Sequence, residues 1–84
     1  MRLVFTSQAW EDYLHWQAAD RAKLKRINSL TEATLRDPSV GIGKPEALKH
    51  ALAGLWSRRI DSEHRLVYTV VENDLVIIQA RFHY

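Results

Sequence analysis

The second half of this chain carries the side chains best suited to work on a phosphate ester. Cutting a phosphodiester through a neighbouring 2′-hydroxyl needs a base for that hydroxyl and cations that hold the phosphate as charge builds. It also needs an acid for the departing 5′-oxygen. Glu46 or His50 meets the first need. His83 meets the last, because an unperturbed imidazole titrates near pH ~6.5. Arg59 and Arg65 suit a bidentate grip on phosphate, and Lys49 adds a point charge. Arg58 and Arg81 are accessory cations, and Tyr84 offers a ring on which a base can stack. Each residue also has a plainer reading. Glu46 at a helix start would offset the helix dipole, and a terminal His-Tyr pair can be no more than a chain end.

Other chemistries fit less well. His15, His50, His64 and His83 are scattered, without the close His/Cys/Asp pairing of a zinc site, and there is no cysteine. No Gly-x-Ser-x-Gly motif marks a covalent nucleophile. The Gly/Pro-rich stretch 38–45 is too incomplete for a phosphate-cradling loop. No metal and no cofactor are expected.

These residues must be positioned by a small scaffold. Eighty-four residues with 46% hydrophobic and 26% charged side chains read as one lean globular domain spanning 1–84. No run is long enough to span a membrane or to serve as a signal peptide's apolar core, so a cytoplasmic protein is expected. The net charge is only +2. Arg21, Lys23, Lys25 and Arg26 cluster, however, and read as a solvated basic helix face.

Arg2 to Phe5 is β-prone. Ser7 is a plausible N-cap for a first helix, whose stripe is Trp10, Tyr13, Leu14 and Gln17/Ala18. Asp20 caps a second helix running to about Asp37, with Leu24, Ile27, Leu30 and Thr34 facing inward. Pro38 ends it. Pro45 suits the first position of a helical turn over 46–52, which would align Glu46, Lys49 and His50 on one face. A three-strand meander follows at about 54–60, 64–71 and 75–83. The predicted fold is therefore α+β, in the order β-α-α-β-β-β, with two N-terminal helices on one face of an antiparallel sheet.

Register decides which polar residues meet. Three-residue loops at Asp61-Ser62-Glu63 and Glu72-Asn73-Asp74 place Arg59 opposite Arg65 and Arg65 opposite Arg81, with His83 next on the same face. Trp56, Leu66, Tyr68, Val70, Val76, Ile78, Ala80 and Phe82 then form the greasy face. Two-residue loops would scatter cations among the core positions at a cost of several kcal/mol each. Crowded arginines repel one another, so the open face asks for an anionic counterpart, such as a polyanion or an acidic partner segment.

The segments Gly43–His50, Leu52–Ile60, Glu63–Tyr68 and Arg81–Tyr84, with Trp10–Leu14 and Trp16, resemble the YoeB toxins of the RelE/ParE superfamily nearly end to end. The resemblance implies two helices on an antiparallel sheet whose open face holds the site. It implies a ribosome-dependent endoribonuclease toxin of a type II toxin–antitoxin pair, cutting messenger RNA in the decoding site of the 70S ribosome and so inhibiting translation. In that family the position of Glu46 is assigned general base, that of His83 general acid and that of Arg65 phosphate stabilisation. The positions of Lys49, Arg59 and Tyr84 also fall in the site. The implied partner is a YefM-like antitoxin, with homodimers or toxin–antitoxin hetero-oligomers. Two other readings are a gyrase poison of the same fold, resembling ParE, and an RNA-binding regulatory module. Glu46 and His83 argue against the first, since such relatives lack both matching residues; the second would need the arginines and neither of these two.

Overall fold

The computed structural model describes residues 1–83. Tyr84 lies outside the described residues. The chain forms β1 (Arg2–Phe5), α1 (Ser7–Ala19), α2 (Arg21–Arg36), β2 (Glu46–Ala47), β3 (Trp56–Arg59), β4 (Arg65–Val71) and β5 (Asp74–Gln79). A short 3₁₀ turn covers His50–Leu52. The strands make one five-stranded sheet in the order β1-β5-β4-β3-β2. It is mixed rather than purely antiparallel, because β1 runs parallel to β5.

Thr6, one residue ahead of the expected Ser7, caps α1: its Oγ1 accepts from the Ala9 amide and donates to Ile78 O at 2.9 Å. One hydroxyl thus starts the helix and ties it to the sheet. The buried face of α1 is Ala9, Asp12 and Trp16, with Tyr13 partly buried against the core as expected. Trp10 is half exposed and stacks on Tyr13. Asp12 is buried because its carboxylate has work to do. Oδ2 accepts the Ala80 amide at 3.0 Å, and Oδ1 accepts from Gln8. Asp20 caps α2 as expected, and Ile27, Leu30 and Thr34 face the core.

The first hairpin has the predicted register, with Arg59 paired to Arg65. The second does not. Val71 pairs with Asp74, so the loop is the two residues Glu72 and Asn73, and Glu72 takes a left-handed φ of 56°. The slip moves Leu75 and Ile77 into the core in place of the expected Val76 and Ile78. An irregularity between Val67 and Tyr68 then corrects it, for Tyr68 pairs with Ile77 but Val67 pairs with Gln79. A bulge of this kind inserts one residue and restores side-chain parity beyond it. Ala80 is accordingly buried as predicted, whereas Phe82, predicted on the core face, is exposed at a φ of 66°. Arg59, Arg65 and Arg81 stay out of the core by a different route from the one expected, whereas Arg58 is buried.

The basic face of α2 is not simply solvated. Lys23 Nζ bridges Asp61 Oδ2 at 2.9 Å, and Arg26 donates to Arg59 O at 3.1 Å. Both fasten the helix to the β3–β4 hairpin. Burial pushes the Asp61 carboxyl up, but hydrogen bonds from Lys23 and from the His64 and Glu63 amides outweigh it, bringing the pKa down to about 2. A carboxylate depressed in the folded state adds stability above its unfolded value, and that stability disappears as pH falls through the folded value. Asp61→Asn should therefore cost on the order of 1 kcal/mol at neutral pH, after allowance for solvent screening. Its urea midpoint should lose part of the parent's dependence on pH between about 4 and 2. Equal acid sensitivity in parent and variant would contradict this assignment.

Candidate functional site

Glu46 reaches the sheet by an unexpected path. The predicted helical turn at 46–52 does not form. Glu46 and Ala47 instead add an edge strand, pairing with Ser57 and Trp56. The β parity of that pairing sets Glu46 on the face of Ser57, which pairs in turn with Val67, and Val67 with Gln79. Ser57 and Val67 are buried and floor the open face. Arg59 and Arg65 form the next row. A depression of ≈ 260 Å³ is lined by Lys44, Pro45, Glu46, Ser57, Arg59 and Arg65. One carboxylate and two guanidiniums thus border the same space.

Arg65 is partly fixed before any ligand arrives. Its Nη1 donates to Asp61 O at 3.0 Å and to His64 O at 3.3 Å, which anchors the guanidinium against the turn. Lys49 and His50 are not on a helix face with Glu46, but they line a second depression, ≈ 460 Å³, that shares Glu46 with the first. Arg81 and His83 border a third, ≈ 300 Å³, with Gln8, Asp12, Gln79 and Phe82. Gln79 and Ser57 flank β4 on either side, two strand spacings or about 10 Å apart. The expected pairing of Arg65 with Arg81 is absent, because β5 ends at Gln79 and the Arg65 amide donates to Phe82 O. The Arg81 guanidinium lies 4.4 Å from the centre of the Phe82 ring.

Arg58 is not part of this face. It is fully buried beneath the sheet, with Nε donating to the Tyr68 hydroxyl at 3.2 Å. Its Nη1 donates to Ile42 O at 2.9 Å, and Nη2 donates to Asp37 O at 2.6 Å and Val40 O at 3.0 Å. The accessory role expected for Arg58 is corrected: it is a clamp on the loop after α2. Strand parity already carried that signal, since Arg58 lies two residues from the core-facing Trp56. Gly43 completes the clamp at a φ of 84°, where an added Cβ would stand 2.6 Å from Leu30 Cδ2. The glycine at 43 therefore serves packing.

Sequence reasoning also passed over His64. Its ring meets Trp16 edge-on at 4.9 Å, and its Nδ1 accepts the Phe82 amide at 2.7 Å. Among the described residues no group of His, Cys, Asp or Glu stands at metal-holding spacing. No helix of the described residues is long and apolar enough to cross a membrane.

Known proteins share both the sequence and this architecture. Residues 5–84 match the family model of the YoeB-like toxins of bacterial type II toxin–antitoxin systems. The chain is 60% identical to the toxin YoeB of Synechocystis over 84 residues, all of this chain and 98% of the relative. A YoeB/ParE toxin from Agrobacterium tumefaciens superposes with a TM-score of 0.97 at 49% identity, with both chains fully covered. A YoeB dimer and a heterotetrameric YoeB–YefM complex, both from Staphylococcus aureus, give TM-scores of 0.92 and 0.91 at 46% identity, covering this whole chain and 98% of theirs. With a family model matched over residues 5–84 and relatives matched nearly end to end, the chain belongs to the YoeB-like toxins of type II toxin–antitoxin systems.

Proposed function

We propose that this toxin is an endoribonuclease that cuts messenger RNA in the ribosomal A site by metal-independent acid–base catalysis, and so stops translation. The observation that carries the reading is the single depression bordered by Glu46, Arg59 and Arg65. Glu46 takes the proton from the 2′-hydroxyl, with His50 as the alternative base. Arg65 and Arg59 grip the phosphate while negative charge builds on it, and preorganised cations stabilise that charge most where water is thinned out. Lys49 adds a point charge near the same carboxylate. His83, across β4, gives its proton to the departing 5′-oxygen, and Arg81 backs the phosphate on that side. Tyr84 is assigned to base stacking. The base and the acid thereby approach from opposite sides, as attack and departure at phosphorus require.

The protein partner is a YefM-like antitoxin, as the staphylococcal complex suggests, with homodimers or toxin–antitoxin hetero-oligomers in the cytoplasm. Induced expression without that antitoxin should arrest bacterial growth. Cut messages should be recovered from ribosomes while chromosomal DNA stays whole. Intact messages with broken chromosomes would show a gyrase poison instead. Arrest that survives Glu46→Ala and His83→Ala but not Arg65→Ala would show a non-catalytic RNA-binding module.

A further inference from the structure

Beyond Gln79, whose own Nε2 donates to Arg81 O at 3.1 Å, the chain is held by groups outside its strand. The Ala80 amide donates to Asp12 Oδ2 at 3.0 Å, and Trp16 Nε1 donates to Ala80 O at 2.7 Å. Two residues on, the Phe82 amide donates to His64 Nδ1 at 2.7 Å, and Phe82 O accepts from the Arg65 amide at 2.9 Å. Phe82 sits at a φ of 66°, a left-handed conformation that costs a non-glycine residue roughly 1–2 kcal/mol. Phe82 is 53% exposed, its ring meeting the Arg81 guanidinium at 4.4 Å and the His64 ring at 5.9 Å. The two hydrogen bonds fix its backbone.

His64 is built to be a rigid acceptor. Its side chain is only 11% exposed, its ring packs edge-on against Trp16, and its own amide donates to Asp61 Oδ1 at 2.6 Å. An amide donating to Nδ1 requires a lone pair on that nitrogen, so the ring proton resides on Nε2, 3.6 Å from Glu63 Oε1. The residue after Phe82 is His83. We infer that His64 is a positioning residue: by fixing the Phe82 amide it sets the direction in which His83 leaves the sheet. The inference rests on the proposed role of His83 as general acid.

Two variants separate packing from acceptance. His64→Phe keeps a ring against Trp16 and removes the acceptor, whereas His64→Asn places Oδ1 near the position of Nδ1. In His64→Phe, hydrogen exchange at the Phe82 amide should quicken at least ~10-fold, because its closing bond is gone. The rate of message cleavage on saturating ribosomes should fall about 10- to 100-fold with KM unchanged, the size expected for a misplaced catalytic group. His64→Asn should recover most of both losses. In the His83→Ala background, His64→Phe should cost almost nothing further, since the group it positions is absent.

The inference is overturned if His64→Phe cleaves like the parent while His83→Ala does not. Equal losses from His64→Phe in the parent and in the His83→Ala background would also overturn it, as would failure of His64→Asn to restore Phe82 protection. If the parent cuts no message, the role of His83 fails on its own. Amide exchange and its rescue by asparagine then still decide whether His64 holds the segment. Should His64→Phe not fold, His64→Asn decides: slow Phe82 exchange with near-parental cleavage supports the inference, and fast exchange with unchanged cleavage refutes it.

Discussion

Replacing Arg58 by methionine is expected to lower the thermal midpoint by on the order of 15 °C, the largest loss of stability from any single side chain outside the apolar core. The guanidinium donates to three backbone carbonyls and one hydroxyl from a fully buried position. Methionine fills much of the volume but leaves the carbonyls of Asp37, Val40 and Ile42 without that donor. Hydrogen bonds to charged groups are worth about 1.5–3 kcal/mol each, while removing the charge returns part of its burial cost, so a net loss of about 3 kcal/mol is expected. A chain this small has roughly 4–13 kcal/mol in total. Arg58→Lys should rescue little, because an ammonium cannot reproduce the planar fork that serves three directions. A methionine variant melting within about 3 °C of the parent would show that the loop after α2 does not depend on the clamp.

Replacing Arg65 by alanine should give the largest loss of activity among the cations proposed to grip the phosphate. Removal of one preorganised stabiliser of transition-state charge typically costs about 10²- to 10³-fold. Arg65 also holds the hairpin turn through Asp61 O and His64 O, so a stability loss of about 1 kcal/mol should accompany it. Circular dichroism melts and cleavage rates measured together separate the two effects. Arg65→Lys should keep the charge but recover only part of the rate. Cleavage by the alanine variant at the parental rate would remove Arg65 from the phosphate site.

The parts of the molecule legible in its sequence are those governed by local periodicity. The 3.6-residue stripe of α2 and its Asp20 cap appear where expected. So does the first hairpin, whose odd-length loop brings Arg59 opposite Arg65. The second hairpin was illegible for a physical reason. A two-residue loop is usually announced by Asn-Gly or Asp-Gly, yet here glutamate takes the left-handed position, and no glycine marks the bulge that follows. The place of Glu46 on the open face is not legible from its neighbours in the chain; only the family resemblance puts it in the site. Pro45 suggested a helical turn, but pairing with Ser57 decided the outcome, and long-range pairing leaves little trace in a two-residue strand. Arg58 departs from its expected role because strand parity outweighs charge, and Asp12 on α1 is likewise charged yet buried. Each lies on a buried face, and each is charged because backbone groups there need a partner.

The central claim is that Glu46 and His83 divide the proton transfers of a cleavage reaction on the ribosome. Its most direct test is single-turnover cutting of a message held in the decoding site of programmed ribosomes, by the parent, Glu46→Gln and His83→Ala. The parent should yield an upstream fragment ending in a 2′,3′-cyclic phosphate and a downstream fragment beginning with a 5′-hydroxyl. Each variant should be slower by at least ~10²-fold, the contribution of one general acid or base. An uncut message, a fragment beginning with a 5′-phosphate, or variants that cut as fast as the parent would contradict the account.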